Sequence, residues 1–159
     1  MPRRGRLHIP GGCYHVIGRG LERRYIFEAV EDKENFLARF GSLVSRSHVQ
    51  CLAWALMSNH YHFLIQVGHK PLSKLMASLL GGYAGYYNRK YGRSGYVFQN
   101  RYQSILCDAD VYLQELVRYI HLNPVKASLV EDSQLLERYR WTGHAAAFGR
   151  YRQPWHDVE

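Results

Sequence analysis

Residues 49–67 read VQCLAWALMSNHYHFLIQV and contain two segments with the pattern of β-strands. Residues 49–57 form an apolar run whose length suits a buried strand, and Ser58 and Asn59 favour a turn. Residues 60–67 alternate strictly, so their side chains point in turn to the two faces of a strand. We therefore predict a β-hairpin in this stretch.

The two faces of the second strand differ in polarity. One face is apolar and carries Tyr61, Phe63, Ile65 and Val67. The other face carries His60, His62, Leu64 and Gln66. Two imidazoles at positions i and i+2 of a strand lie side by side, a spacing that suits one shared metal ion. A solvated hairpin edge would explain the same two histidines, so this pattern alone leaves both interpretations open.

Patterns on both sides of the hairpin predict the remaining elements. We predict strands at residues 13–17, 96–98 and 101–107, and helices at residues 32–45, from Pro71 to just before Gly92, and from an N-cap at Asp108 to about Asn123, where Pro124 stops the helix. This order, βαββαβα, is typical of an α+β fold with a ferredoxin-like antiparallel sheet (a βαββαβ core) and one additional helix. The first two helices are expected over the apolar face of the sheet and the third over the polar face.

The chain is expected to form a single domain over residues 1–159. Residues 1–10 would be a basic N-terminal arm, and residues 125–159 a short helical C-terminal tail.

The third predicted helix carries a polar pair beside its apolar stripe. At about 100° per residue, that stripe contains Leu113, Leu116, Val117 and Ile120. Tyr119 and Asn123 lie one turn apart on one border of the stripe. His121 falls on the opposite border, where we expect a surface or capping role. Taken singly, Tyr119 is a packing tyrosine and Asn123 a helix C-cap, but a helix over the polar face brings both to His60 and His62.

Two imidazoles, an amide oxygen and a phenol form a coherent chemical set. Neutral nitrogen and oxygen ligands leave a divalent ion its full charge, so Mg²⁺ or Mn²⁺ held by His60, His62 and Asn123 would polarise a scissile phosphate. Tyr119 would be the catalytic nucleophile, because a phosphotyrosine adduct keeps the energy of the broken bond for later rejoining. The sequence contains no P-loop or other nucleotide motif, and this chemistry requires no nucleotide cofactor.

The composition favours a polyanionic partner. The 21 Lys+Arg residues exceed the 13 Asp+Glu residues and give a formal net charge of +8, which favours nucleic acid through phosphate neutralisation. Tyrosines beside basic residues at positions 83–91 can stack on unpaired bases, which indicates single strands, although some of them also continue a buried helix stripe. Basic candidates for a DNA surface are Arg3, Arg4, Arg6, Arg19, Arg23, Arg24, Arg89, Lys90 and Arg101, with Arg101 the best placed because it opens a strand near the predicted site.

Cysteine usage and hydropathy indicate the compartment. Three scattered cysteines without a CxxC pair indicate neither a disulfide framework nor a zinc knuckle. No apolar stretch approaches the length of about 18 residues that indicates a membrane span, and no signal-peptide pattern follows the basic start. We therefore expect a soluble bacterial cytoplasmic protein with no membrane partner.

Two stretches of the chain resemble the signatures of the REP-associated tyrosine transposases, a branch of the single-tyrosine HUH transposases. They are MSNHYHFLI at residues 57–65 and VRYIHLNPVKA at residues 117–127. Supporting segments are GCYHV at 12–16, VFQNRYQS at 97–104 and YRWT at 139–142. Together they cover nearly the whole chain in the order expected for that family.

The resemblance implies a ferredoxin-like HUH fold, a 5′-phosphotyrosine intermediate, and repetitive extragenic palindromes folded as single-stranded hairpins as the substrate. By this similarity His60 and His62 are the HUH pair, Tyr119 is the nucleophile and Asn123 is the polar metal ligand. Tyr61 takes the hydrophobic middle position and should point into the core. One departure is Thr142-Gly143-His144, where members often have two serines, and it puts a contact between the tail and DNA in doubt.

Two other classes of protein are compatible with parts of this pattern. A non-catalytic single-stranded DNA- or RNA-binding module of ferredoxin-like fold explains the charge and the exposed aromatic residues, and it predicts no role for a divalent metal. A replication initiator or relaxase-like nickase would use the same chemistry, but such proteins usually carry helicase or oligomerisation regions. The sequence does not decide whether the working unit is a monomer or a homodimer.

Overall fold

The computed structural model describes residues 8–107, 109–126, 139–143 and 153–156. Within these ranges the strands are β1 (Cys13–Arg19), β2 (Gln50–Leu56), β3 (His60–Gln66) and β4 (Gln103–Cys107). The α-helices are α1 (Val30–Ser47), α2 (Leu72–Tyr91), α3 (Ala109–His121) and α4 (Asn123–Lys126), and a short 3-10 helix spans Leu21–Arg23.

The four strands form one antiparallel sheet in the order β2-β3-β1-β4. Strand β3 lies between β1 and β2, and β1 lies between β3 and β4, so the units β1-α1-β2 and β3-α2-β4 interleave. This is the ferredoxin-like arrangement, and the predicted fold class is confirmed. The hairpin predicted from residues 49–67 is β2 and β3, paired from Gln50 with Gln66 to Leu56 with Tyr61.

One face of the sheet packs against α1 and α2 and forms the main core. The large aromatic side chains of this core are fully buried, among them Phe36, Trp54, Tyr61 and Tyr83. Tyr61 therefore points into the core, as predicted. A Cβ atom at Gly18 on the neighbouring strand would lie 2.2 Å from the Tyr61 hydroxyl, so only glycine leaves room for this ring.

The other face of the sheet is covered by α3, which contacts β2 and β3. Ala53 and Ala55 on β2 are fully buried there, and their small side chains let the helix approach the sheet closely. Ile120 is completely buried against them, and the predicted stripe residues Leu113, Leu116 and Val117 pack around it. The prediction that the third helix covers the polar face is correct.

Two predicted boundaries are wrong. Residues 96–98 do not form a strand, because they make only an isolated bridge, between Phe98 and Gly20, at the end of β1. Pro124 does not end a helix: α3 already ends at His121, and Pro124 is the second residue of α4, which begins at Asn123. Proline is tolerated in a first helical turn, where its missing N–H would have no partner.

The described parts of the C-terminal tail pack against the sheet. Thr142 forms an antiparallel bridge with Ala55, and His156 forms a parallel bridge with Cys51. Trp141 is buried in the main core, and Trp155 packs its ring against Phe40 and Trp54. These residues extend the core past the edge strand β2. The helical character predicted for residues 127–138 and 144–152, and the arm predicted at residues 1–7, lie outside the described residues.

The sequence interpretation of His121 as a surface or capping residue is wrong, because this side chain is only 6% exposed. Its ring lies 6.1 Å from that of His156, and a Cβ atom at Gly143 would lie 2.5 Å from its Nε2 atom. Contact with the tail therefore buries His121. The same contact explains why position 143 is glycine. No helix within the described ranges is both long and apolar enough to span a bilayer.

Candidate active site

His60 begins strand β3 and faces two amide oxygens. Its Nδ1 atom lies 2.7 Å from Asn59 Oδ1, and its Nε2 atom lies 3.3 Å from Asn123 Oδ1. A neutral imidazole carries one N–H and one lone pair. If the shorter contact takes the N–H, the Nε2 lone pair faces the amide oxygen of Asn123. In that tautomer the two atoms are both acceptors, which is an arrangement that suits a cation.

His62 lies two residues further along β3 and contacts a third histidine. Its Nδ1 atom is 2.9 Å from His15 Nε2, and the two rings are stacked with centroids 5.2 Å apart. His15 comes from β1, the strand beside β3, and both side chains are buried. An N–H on His62 Nδ1 that donates to His15 leaves the lone pair of His62 on Nε2. This contact therefore holds the ring of a candidate metal ligand in place, and in that tautomer it also directs the lone pair of His62 to Nε2.

Burial keeps these imidazoles neutral. It lowers the pKa of His62 to about 3, with further contributions from His15, His60 and Arg19. Burial also lowers the pKa of His60 and that of His15. Neutral imidazole is the form that binds metal ions, so the site presents its histidines in the competent state at physiological pH.

Tyr119 lies on α3 above the histidines. The centroid of its ring is 6.1 Å from that of His15 and 6.4 Å from that of His62, both edge to face. The side chain is 42% exposed, which sets it apart from the buried tyrosines of the core. A phenol that lies beside two imidazoles and opens to solvent is accessible to a macromolecular substrate.

The donor atoms fit a hard or borderline divalent ion held by few protein ligands. No cluster of three or more His, Cys, Asp or Glu side chains suited to a metal occurs among the described residues. The candidate ligands are therefore two imidazole nitrogens and the amide oxygen of Asn123, a residue that is 8% exposed. In the tautomer with the His60 proton on Nδ1, the lone pair of His60 Nε2 faces the amide oxygen of Asn123. Together with His62, these atoms would hold an ion with few protein ligands and leave coordination positions open.

The nine predicted DNA-binding residues separate into groups. Arg19, Arg23 and Arg101 line one cleft beside the site. The other described members are distributed elsewhere. Arg24 pairs with Glu22 at 3.2 Å, and Lys90 pairs with the buried Asp32 at 2.7 Å.

Arg89 and Lys90 lie in the last turn of α2, on the face of the sheet opposite to Tyr119. The structure therefore does not bring these two residues to the site. Arg3, Arg4 and Arg6 lie outside the described residues.

Sequence reasoning missed two members of this site. His15 was available from the same alternation that placed His60 and His62, since Cys13, His15 and Ile17 share one face of β1. Only the pairing of β1 with β3, which sets His15 opposite Leu64 and Ile17 opposite His62, brings it to the pair. Asn59 was interpreted as a turn residue, and its side chain also contacts the His60 ring.

Comparisons with known proteins agree with this architecture. The model of the IS200-like transposase family matches residues 10–123 of the chain. No protein among the curated sequences matches. The family match covers most of the chain and therefore shows the family. The chain belongs to the IS200-like transposase family, and its coarse function is that of a DNA transposase.

Two solved structures share the fold. A REP-associated tyrosine transposase bound to a REP hairpin superposes with a TM-score of 0.75 at 15% identity, over 100% of this chain and 92% of that one. A candidate transposase from Deinococcus radiodurans R1 gives a TM-score of 0.51 at 13% identity, over 77% of this chain and 97% of that one. At these identities the similarity shows the fold, including its extra helix.

Proposed function

We propose that this transposase cuts and rejoins single-stranded DNA through a covalent bond to Tyr119, with a divalent metal held by His60, His62 and Asn123. The observation that carries the proposal is the position of the exposed Tyr119 phenol beside the His15–His62 pair, one helical turn from Asn123, whose amide oxygen faces His60. The bound ion, Mg²⁺ or Mn²⁺, would supply positive charge to the scissile phosphate and to the pentacoordinate transition state.

The chain's own residues perform the remaining tasks. The Tyr119 oxygen attacks phosphorus, forms the P–O bond of a 5′-phosphotyrosine, and displaces the 3′-oxygen of the preceding nucleotide. The exposed phenol releases its proton to water, and the departing oxygen leaves as a 3′-hydroxyl. Attack of another 3′-hydroxyl on the adduct reverses the chemistry and joins two strands. Tyr119 lies near the end of α3, and Asn123 begins α4 after one intervening residue. A short stretch of the chain therefore positions both the nucleophile and a metal ligand.

We further propose that the substrate is a single-stranded hairpin of repetitive palindromic DNA. One protein of the same fold is described as bound to a REP hairpin. The net charge of +8 and the arginine-lined cleft beside the site support a folded polyanion as the partner of this chain as well.

The test is to incubate the purified protein with labelled hairpin strands from its own genome in Mg²⁺ or Mn²⁺ and to resolve covalent protein–DNA adducts on a denaturing gel. We expect an adduct that disappears with EDTA and in Tyr119→Phe. Tyr25→Phe is the matched control, because Tyr25 is also exposed and its carbonyl accepts a hydrogen bond from Tyr87 of α2. Binding of hairpins without any adduct would instead support the non-catalytic module.

A further inference from the structure

Three arginines line one cleft next to the histidine pair. Arg19, Arg23 and Arg101 line a space of about 250 Å³. Within the part of the chain that the structure describes, none of the three forms an ion pair, whereas Arg24 and Lys90 each have a carboxylate partner. Like charges at short range repel one another. An anion in the cleft would therefore stabilise this arrangement.

The remaining lining is suited to a nucleobase. Gln99, Asn100 and Gln103 supply amide groups, and no carboxylate is among the lining residues. Arginine, asparagine and glutamine make two-point hydrogen bonds with the N7 edge of guanine or adenine, an edge that pyrimidines lack. A volume of about 250 Å³ is below the range of about 300–1,000 Å³ that is usual for small-molecule pockets. The cleft is thus too small for a duplex and would hold at most one nucleotide.

The walls of the cleft are held in place by backbone hydrogen bonds. Leu21 N donates to Val97 O at 2.9 Å, and Gln99 N donates to Arg19 O at 2.8 Å. These bonds tie the loop before β4 to the end of β1. The two walls therefore keep a fixed separation before any ligand arrives.

The same walls carry unusual backbone conformations. Two lining residues, Arg23 and Asn100, have φ angles of 61° and 56°, and Glu22, which precedes Arg23, has a φ angle of 54°; all three lie in the left-handed region that favours glycine. Apart from His48, they are the only described non-glycine residues with positive φ. Such conformations are costly and concentrate at ligand sites, so their grouping here is a second indication of a binding site.

The register of the sheet places the cleft beside the candidate metal ligands. Arg19 pairs with His60, and Ile17 pairs with His62 on one side and with Gln103 on the other. Ile17 and Arg19 lie on the same face of β1 as His15. The cleft therefore continues the face of the active site across β1 and β4.

We propose that this cleft binds one unpaired purine nucleotide of the DNA strand, adjacent to the bond that Tyr119 cuts. Arg19, Arg23 and Arg101 hold its phosphate, and the amide groups of Gln99 and Gln103 contact its base edge. This inference rests on the proposed function and adds a base preference at one position of the single strand.

The experiment measures binding without cleavage. Fluorescence anisotropy in EDTA compares labelled oligothymidylate with copies that carry one adenine, one guanine or one abasic site at each position in turn. A single purine at one position should raise affinity by about fivefold or more, and Gln103→Ala should remove that gain. Arg101→Gln should weaken all strands and reduce the slope of log affinity against log salt by about one.

The matched control is Arg46→Gln, which removes one positive charge from the last turn of α1. It should leave both the purine preference and the salt slope nearly unchanged. Equal affinities for thymine, purine and abasic strands, no binding to any strand, or an equal loss in Arg46→Gln would overturn the proposal. The assay needs neither metal nor cleavage. An adduct without base preference contradicts the cleft alone, and base preference without an adduct contradicts the proposed function alone.

Discussion

The sheet separates two groups of polar side chains that differ in how completely the protein satisfies them. On the α1/α2 face, the buried carboxylate of Asp32 accepts hydrogen bonds from Lys90, Tyr86 and Tyr91 and from the backbone N–H groups of Glu28 and Ala29. On the α3 face, His60 Nε2 lies 3.3 Å from Asn123 Oδ1 and His60 Nδ1 lies 2.7 Å from Asn59 Oδ1, so the single N–H of a neutral imidazole faces two amide oxygens. The carboxylate of Asp32 has its hydrogen-bond partners within the protein. The single N–H of His60 can serve only one of two amide oxygens, which leaves an acceptor for a ligand.

The two faces of the sheet assign different roles to tyrosine residues. Tyr83 is fully buried and donates its hydroxyl proton to Ile26 O, so its polar group serves the fold. Tyr119 exposes its phenol beside imidazoles that are held neutral. The same residue type thus has a structural role on one face and a candidate chemical role on the other, and substitutions should separate the two.

The largest expected effect comes from exchanging one tyrosine on each face. Tyr119→Phe should reduce adduct formation by at least about 10³-fold, because the nucleophile is lost, with little change in stability. Tyr83→Phe should retain the adduct but lower the free energy of unfolding by about 1–3 kcal/mol, because Ile26 O loses a buried donor. Gel assays and urea unfolding of both variants check this. A destabilised Tyr119→Phe variant would contradict the assignment of a chemical role to Tyr119 and a structural role to Tyr83.

Asp32→Ala tests the completeness of the first group. Removing the carboxylate leaves the hydroxyls of the half-buried Tyr86 and Tyr91, and the backbone N–H groups before α1, without their acceptor. We expect a loss of about 3 kcal/mol in the free energy of unfolding, at the lower end for a buried pair because Lys90 can still reach water. Asn123→Ala is the control on the other face and should change stability by less than about 1 kcal/mol. Urea unfolding curves of both variants measure the difference.

Much of this arrangement was predictable from the sequence, and the reason lies in local periodicity. Strict alternation in β3 placed His60 and His62 on one face and Tyr61 on the other, and the helical spacing of α3 put Tyr119 and Asn123 on one border. The role of His15 was not predictable, because it depends on which strand pairs with β3. The burial of His121 depends on the tail, more than 20 positions later in the chain, which no local pattern encodes.

The cleft lined by Arg19, Arg23 and Arg101 was likewise not predictable from local sequence patterns. Residues 96–98 have the composition of a strand, yet they lie against the end of β1 as one bridge and a few hydrogen bonds. Arg101 was identified as the best placed of the basic residues, and it does line the cleft. Its convergence with Arg19 and Arg23 arises from tertiary contacts, and so does the pairing of Lys90 with Asp32, which gives that lysine a structural partner instead.

Acid should weaken the first group in a defined pH range. Burial alone would raise the pKa of Asp32, but hydrogen bonds from Lys90, Tyr91, Glu28 N and Tyr86 outweigh it and lower the pKa from 3.8 to about 2. A depressed carboxyl pKa stabilises the fold fully above pH 3.8, and this contribution is lost as the pH falls toward 2. The loss should be about 2 kcal/mol. Unfolding measured across this range should be less pH-dependent in Asp32→Asn; an unchanged pH dependence would assign the effect to other groups.

The smallest expected effect concerns the contact between His15 and His62. It joins two buried side chains within the protein, as the hydrogen bonds of Asp32 do on the opposite face. His15 Nε2 lies 2.9 Å from His62 Nδ1, and in the tautomer with the proton on His62 Nδ1 this contact leaves the other nitrogen of His62 for the metal. His15→Phe keeps a ring of similar shape but removes the acceptor, and should weaken Mn²⁺ binding about tenfold, as is usual when an outer-shell partner of a ligand is lost. His15→Gln restores an acceptor and should recover part of the affinity. Titration calorimetry with Mn²⁺ measures binding apart from activity. Equal affinity in His15→Phe and the wild type would mean that His15 only fills space beneath Tyr119.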